Sequence, residues 1–344
     1  MTFLRLPAPS ANIILEILNY QYMAFYKIKH ITRYSYSSPV IDCTNQIMLY
    51  PIIDSQLEIR KHEIKISNNP AVEIFVDYFG NHTGMFSIIK PHSELLIQSD
   101  AEVITKPIIM PLDDSSPEDQ WKFLNNMTYQ LEYMDFLTEE SSASHDDIKN
   151  HLESIVLKDL SPLQNSISLS EYIYSNFVYQ KGLTSVETQI DEVWKLKAGV
   201  CQDFAHMLLV LLRMSHIPAK YISGYICPKD KEMRGEGATH AWVEAYIPQY
   251  GWLGLDPTNN CIVNDQHVKL AVGRNFSDCT PVKGTYKGLG QHTLEVSVEI
   301  KNGSTKTTNE KQAQTKFSYL AKNPGEPLNS YRHYLEIQQK QQQQ

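Results

Sequence analysis

Apolar and polar residues alternate with a period of two through most of the first third of the chain. In YKIKHITRYSYSS, residues Tyr26, Ile28, His30, Thr32, Tyr34 and Tyr36 share one face. Lys27, Lys29, Arg33 and Ser35 share the other, with Ile31 the exception. That pattern predicts a half-buried strand. Further strand-like runs are NQIMLYPI, EIRKHEIKIS, VEIFVDYF, HTGMFSII and ELLIQSDAEVI. Breakers separate them at Pro39, Pro51, Asn68-Asn69-Pro70, Gly80-Asn81 and Pro91. Gly80-Asn81, between two apolar runs, is a hairpin signal. About six short strands with regular turns predict a small β-sandwich.

The period changes after residue 106. SPEDQWKFLNN and ASHDDIKNHLESIVL each carry a Ser and early acids at their start, which predicts helix N-termini. SLSEYIYSNFVYQ predicts a helix running out into an extended segment near residues 177–180. In AHMLLVLLRM, residues Ala205, Leu208, Leu209 and Leu212 fall at i, i+3, i+4 and i+7, one buried helical stripe. Pro218 marks its end, and AKYISGYI follows as a strand. CPKDKEMRGEGAT, charged and glycine-containing, is expected to be a mobile surface loop. HAWVEAYI and WLGLD read as two strands around a Pro-Gln-Tyr-Gly turn, and TLEVSVEI alternates again. The chain ends on QQKQQQQ, too polar to bury itself. These patterns divide it into an N-terminal extension at 1–25, a β-sandwich at 26–108, a helical linker at 109–165, a mixed core at 166–302 and a Gln-rich tail at 303–344 expected to be disordered. There are no internal repeats.

Composition narrows the partners. Among 344 residues, 31 Lys and Arg against 39 Asp and Glu leave a net charge of −8. A nucleic-acid partner would call for a basic face, so none is expected. No run approaches the roughly 18 apolar residues of a membrane span, so no membrane partner is expected either. The start, MTFLRLPAPSANIILEILNYQYM, has Glu16 inside its apolar run and no small-residue cleavage site, which argues against a signal peptide. Met23 stands just before the first strand pattern, so residues 1–22 read as an upstream extension, with Met1 and Met23 both open as starts. The five cysteines, Cys43, Cys201, Cys227, Cys261 and Cys279, are odd in number and include no C-x-x-C. That usage fits a reducing compartment, and the expected location is cytoplasmic.

Cys201 lies one turn before Ala205, at or near a helix N-terminus. Free backbone N–H groups and the positive end of the dipole there favour a thiolate. The plain alternative is a small buried apolar residue, the commoner use of a free cysteine. A thiol nucleophile needs a base and a group that orients the base. In HAWVEAYI, Ala241, Val243, Ala245 and Ile247 share a face suited to a core; His240, Trp242, Glu244 and Tyr246 share the other. His240 opens this strand and Asp256 closes the returning one. A two-residue turn at Gln249-Tyr250 would set Asp256 opposite Val243, on the core side. Sharing a face with His240 therefore requires an odd-length loop or a β-bulge. Trp242 and Trp252 fit a substrate cleft or packing over the hairpin equally well. Five residues after Cys201, His206 points away round the helix and reads as structural. Cysteine, histidine and aspartate also ligate zinc, but no pair here has close ligand spacing, so no metal is expected. Gly235 and Gly237 lack the following helix of a phosphate loop.

GVCQDFAHMLLVLLRMSHIPAKYISGYI, followed by ATHAWVEAYIPQYGWLGLDPTNN, strongly resembles the transglutaminase-like superfamily. It is most similar to the bacterial transglutaminase-like cysteine proteases that carry an extra N-terminal β-domain. HITRYSYSSPV and DYFGNHTGMFSI match that domain, and HVKLAVGRNFSDCTPVKGTYKG resembles the family's C-terminal segment. The resemblance covers about residues 26–300. It implies an α+β fold: an N-terminal β-sandwich, then a papain-like, transglutaminase-like core in which the helix bearing the cysteine packs on an antiparallel sheet. It further implies Cys201 as nucleophile, His240 as general base and acid, and Asp256 as the orienting carboxylate. Gln202 and Asp203 match the family pattern, and Gln202 joins Trp242 and Trp252 as a candidate for substrate binding. The implied activity is hydrolysis of amide or peptide bonds, or transamidation, through a thioester, on a protein or peptide and without a cofactor. The alternative is a catalytically weak scaffold of the same fold that binds proteins or peptides.

Overall fold

The computed structural model describes residues 23–184, 188–227, 233–234, 239–289, 291–303 and 313–320. The first strands are β1 (Ala24–Ile47), β2 (Leu57–Ile66), β3 (Glu73–Val76), β4 (His82–Ile88) and β5 (His92–Thr105). Helices α1 (Pro117–Met127), α2 (Leu131–Leu137), α3 (His145–Ile155) and α4 (Pro162–Asn176) follow. Next come β6 (Val178–Tyr179), α5 (Ile190–Leu196), β7 (Ala198–Gly199) and α6 (Cys201–Met214). Strands β8 (Ala219–Ile226), β9 (Thr239–Ile247), β10 (Gly251–Asp256), β11 (Cys261–Ile262) and β12 (His267–Gly273) complete the core. The chain then returns to the first sheet as β13 (Val282–Lys287), β14 (His292–Asn302) and β15 (Ala313–Leu320). The fold is α+β.

The 24-residue β1 organises the first domain. Its alternation is realised: Tyr26, Ile28, His30, Thr32, Tyr34 and Tyr36 are all buried. Its first half runs between β5 and β14, its second between β4 and β13. The register breaks between Ser35 and Val40, around Pro39, which has no N–H to give a ladder. There the strand passes from one half of a curled antiparallel sheet to the other. The Gly80-Asn81 hairpin joins β3 to β4, with Gly80 at φ 87° and Asp77 accepting the Phe79 and Asn81 N–H groups.

Three boundaries differ from the sequence reading. Strands β13 and β14, expected within the 166–302 core, belong to the first domain because their alternating faces extend the β1 sheet. Residues 313–320, expected in the disordered tail, pair with β14. The helices of the 109–165 segment open the second domain rather than only bridging to it. Trp121, Leu124, Met127, Ile148 and Leu152 enter the same apolar core as α6. Residues 1–22, most of the CPKDKEMRGEGAT loop and 321–344 lie outside the described residues.

Ser116 starts a helix as read, whereas Ser144 ahead of α3 makes no side-chain cap bond, and α4 begins at Pro162, ahead of the expected SLSEYIYSNFVYQ segment. The Ser116 hydroxyl accepts the Asp119 N–H ahead of Pro117, and Ser161 forms a capping box with Gln164 ahead of Pro162. Helix α6 is buried on nearly every side rather than along one stripe, because α4 and α5 pack on it opposite the sheet. That sheet has the order β11-β10-β9-β8-β12. Ala241, Val243, Ala245 and Ile247 face α6, as the alternation requires.

The first domain grips the sheet's edge strand β12. Asn81 makes a two-way bond with Val272, its Oδ1 accepting the N–H and its Nδ2 donating to the carbonyl, both at 2.8 Å. The Ile52 N–H donates to the Lys269 carbonyl at 2.9 Å, and the Thr105 hydroxyl to the Asp265 carbonyl at 2.6 Å. Val268 and Leu270 pack into the first domain's apolar core. Among the described residues no helix is long and apolar enough to cross a membrane.

Candidate active site

The parallel pair β6–β7 sets Tyr179 beside Gly199 and delivers the chain to Cys201 at the first position of α6. The Asp203 carboxylate folds back to accept the Val200 N–H and the Thr184 hydroxyl, each at 2.7 Å. A Cβ at Gly199 would occupy the space of that carboxylate, which accounts for the glycine. Burial pushes the Asp203 carboxyl up to about 6, against the pull of those two hydrogen bonds. Cys201 is half-buried at the wall of a small, partly open cleft, together with Gln202, Tyr221, Ser223, His240 and Phe276.

His240, at the start of β9, is buried, and its Nε2 donates to Asp256 Oδ2 at 2.8 Å. Its Nδ1 is left to the Cys201 thiol, whose side chain interacts with the ring. Burial alone would push the imidazole down; the Asp256 charge, with Cys201 adding to it, carries it up to about 10. Asp256 is buried without exposed surface. Its Oδ1 accepts the Thr258 and Asn259 N–H groups at 2.9 and 3.3 Å. Its Oδ2 also accepts the Asn259 amide at 2.8 Å and His267 Nε2 at 3.3 Å. Burial opposes ionisation, but His240 and then His267 outweigh it and hold the carboxyl below the usual carboxylate range.

The hairpin between β9 and β10 has the odd length this arrangement needs. Residues 248–250 form the connection, Gly251 pairs with Ile247 and Leu255 with Val243. One step further, Asp256 stands across from Trp242, on the face of His240. Gln249 at φ 68° and Gly251 at φ 98° provide the left-handed turn.

The remaining site expectations divide. Gln202 is buried in the wall of the cleft. Trp242 is not a cleft residue. It is fully buried on the far face of the sheet with Ile222 and Val263, over Gly224, where any Cβ would collide with its ring. Its ring stands edge-on to His267 at 5.2 Å and so walls the histidines from water. Trp242→Ala is therefore expected to cost about 3–5 kcal/mol in urea unfolding, the usual loss for a large core aromatic. Trp252 is also outside the cleft. It sits at the opposite end of β10, among Tyr133, Phe136 and Tyr246, with the Lys220 ammonium 3.7 Å above its ring. His206 is structural. Its Nε2 accepts the Phe276 N–H at 3.2 Å, and burial, reinforced by Arg213, pushes it down to about 4.

Sequence reasoning missed Asn259 and His267. The only trace of His267 was its place at the opening of a strand. His240, Asp256 and His267 offer ligand atoms within 4.8 Å of one another, the one such trio among the described residues. Both ring nitrogens lie at hydrogen-bond distance from Asp256 Oδ2, which links the two histidines through one carboxylate oxygen. Chemically, a thiol at a helix N-terminus beside an imidazole held by a buried carboxylate can form a thiolate–imidazolium pair and take part in acyl transfer.

Two family descriptions match the chain: the transglutaminase-like superfamily over residues 149–257 and the bacterial transglutaminase-like N-terminal region over residues 26–104. An uncharacterised protein of Mycobacterium tuberculosis is 31% identical over 299 residues, covering 80% of this chain and 92% of that protein. One of Mycobacterium leprae is 29% identical over 280 residues, covering 80% and 97%. Among solved structures, "a Putative Cysteine Protease from Cytophaga hutchinsonii" superposes with a TM-score of 0.63 at 20% identity, covering 86% of this chain and 98% of that one.

Proposed function

As the chain belongs to the transglutaminase-like superfamily, we propose that it hydrolyses amide bonds of a protein or peptide through a thioester on Cys201. The observation that carries this is the buried 2.8 Å His240–Asp256 pair beside a cysteine that opens a helix on an accessible cleft. The Cys201 thiolate attacks the carbonyl carbon and forms the C–S bond. The C–N bond breaks as His240 gives its proton to the departing amine. His240 then takes a proton from water, whose oxygen displaces the sulfur and releases the acid. Asp256 holds the ring in orientation and stabilises its charged form.

The tetrahedral oxyanion needs donors fixed in advance. The Cys201 N–H, at the open end of α6, is the first. Tyr179 is the second, in this reading. It stands on β6 beside Gly199, and burial, with Cys201 adding to it, keeps its hydroxyl protonated. Trp194, the other candidate, is engaged elsewhere, its Nε1 donating to Asp147 at 2.6 Å. All five cysteines are unpaired, which fits the reducing cytoplasm as the place of action.

Hydrolysis and transamidation part at the second step, where water or an amine resolves the thioester. Incubation with glutamine-containing proteins and a fluorescent amine separates them. The expected result is release of ammonia or peptide, lost in Cys201→Ala, with no label incorporated. Cysteine-dependent labelling of the proteins would replace hydrolysis by transamidation, and neither outcome would leave a binding scaffold.

A further inference from the structure

We propose that His267 is a positioning residue for the same chemistry: it acts through Asp256 to keep the shared proton on His240. This rests on the catalytic reading above. His267 opens β12, is buried, and has its Nε2 3.3 Å from Asp256 Oδ2, the oxygen that also accepts from His240. A carboxylate can only accept, so Nε2 carries the hydrogen. On the other side of the ring, the Asn264 N–H lies 3.3 Å from Nδ1 and donates to it. The Asn264 side-chain oxygen, equally near, takes the Gln266 N–H at 2.9 Å. The Nε2 hydrogen of His267 is thereby committed to Asp256 Oδ2.

The consequence is electronic as well as steric. Asp256 is an anion with no exposed surface. Each donor on Oδ2 lowers the affinity of that oxygen for a proton. With His267 donating, the proton between Oδ2 and His240 stays on the imidazole, and His240 remains the cation that pairs with the Cys201 thiolate. Without His267, the buried carboxylate draws that proton towards itself, and the thiolate loses its partner. The other ionisable groups near this point are Tyr179, whose hydroxyl burial keeps protonated, Cys261, which pairs with Asp256 across β10–β11, and Lys269, which is neutralised by Glu244 and Asp54. None of them donates to the Asp256 carboxylate.

The grip of the first domain on β12 acquires a purpose in this reading. The Ile52–Lys269 and Asn81–Val272 bonds fix the strand two and five residues beyond His267. A small shift of that edge strand would open the 3.3 Å contact. The N-terminal domain thus sets the position of one donor in the site without contributing a residue to the cleft.

Three measurements test this. Iodoacetamide labelling of Cys201 across pH reports the thiolate–imidazolium pair. His267→Phe fills the volume but cannot donate; labelling near pH 6 is expected to slow about tenfold and its midpoint to rise by about one pH unit. His267→Gln, whose amide can reach the same oxygen, is expected to stay within about threefold of wild type. Nitrogen NMR of histidine-labelled wild-type protein is expected to show a proton on His267 Nε2, a reading that needs no substitution to fold. A His267→Phe profile matching wild type, equal losses in both variants, or an Nε2 without a proton would overturn the proposal. If wild-type Cys201 labels no faster than Cys227, the catalytic reading itself falls and takes this one with it.

Discussion

Cys201→Ala is expected to reduce amide hydrolysis by about 10⁴-fold or more, the scale of losing a covalent nucleophile, with the fold intact by circular dichroism. The chain provides its own internal control for the labelling version of this test. Cys43, Cys227 and Cys279 are buried, and burial pushes their thiols up. Cys261 is pushed up to about 12, by burial first and then by Asp256. At mildly acidic pH all four should be inert. One equivalent of iodoacetamide should therefore enter native wild-type protein, at Cys201, and mass spectrometry of the digest should find none in Cys201→Ala. Labelling spread evenly over several cysteines would show that no thiol is activated.

The second large effect is expected at Asp256, on activity and on stability together. Asp256→Asn should lower turnover by roughly 10⁴-fold, because a neutral amide no longer stabilises the imidazolium and can turn an N–H rather than an acceptor to the ring. Asp256→Ala should in addition cost about 3–5 kcal/mol, since it strands a buried imidazole and the Thr258 and Asn259 donors. The pH dependence follows from the two directions of shift. Asp256 lies below its unfolded value near ~3.9, so its contribution is present above that value and lost only in strong acid. His240 is raised to about 10, so its contribution is complete below the unfolded value near ~6.5 and lost as pH rises through 10. Stability from the pair should be full between about pH 4 and 6.5 and fall between about 6.5 and 10. Urea unfolding of wild type should show that alkaline decline, and His240→Gln should flatten it. Parallel curves would mean that the pair adds nothing to folding.

Much of this was legible from residue patterns. Alternation located β1 and its inward face from Tyr26 to Tyr36, because a strand packed on one side must separate its faces. Ser116 marks a helix start for a reason local to the backbone, while the equally local Ser161–Pro162 start went unread. The association of Cys201, His240 and Asp256 was legible too, even to the need for an odd connection. What escaped was non-local. Nothing in HVKLAV says that its histidine meets a carboxylate eleven residues earlier; that contact depends on β12 lying at the sheet edge beside β8. Trp242 shares a face with His240, as the alternation shows, yet that face is closed there by Val263 and Gly224. Periodicity assigns a side chain to a face. It does not say whether a cleft or a second layer lies beyond. For the same reason β13 and β14 look like a continuation of the core until β1 is seen to need neighbours.

The three-residue tip at 248–250 also constrains how such chains can diverge. Surface hairpin tips ordinarily absorb insertions and deletions freely. Here a single-codon gain or loss would invert every side chain beyond it, carrying Asp256 from the histidines into the apolar layer against α6. Length changes compatible with function must come in pairs or be offset by a compensating bulge. The tip is therefore tolerant of substitution and intolerant of odd indels, so its length rather than its composition is the heritable record of the active site.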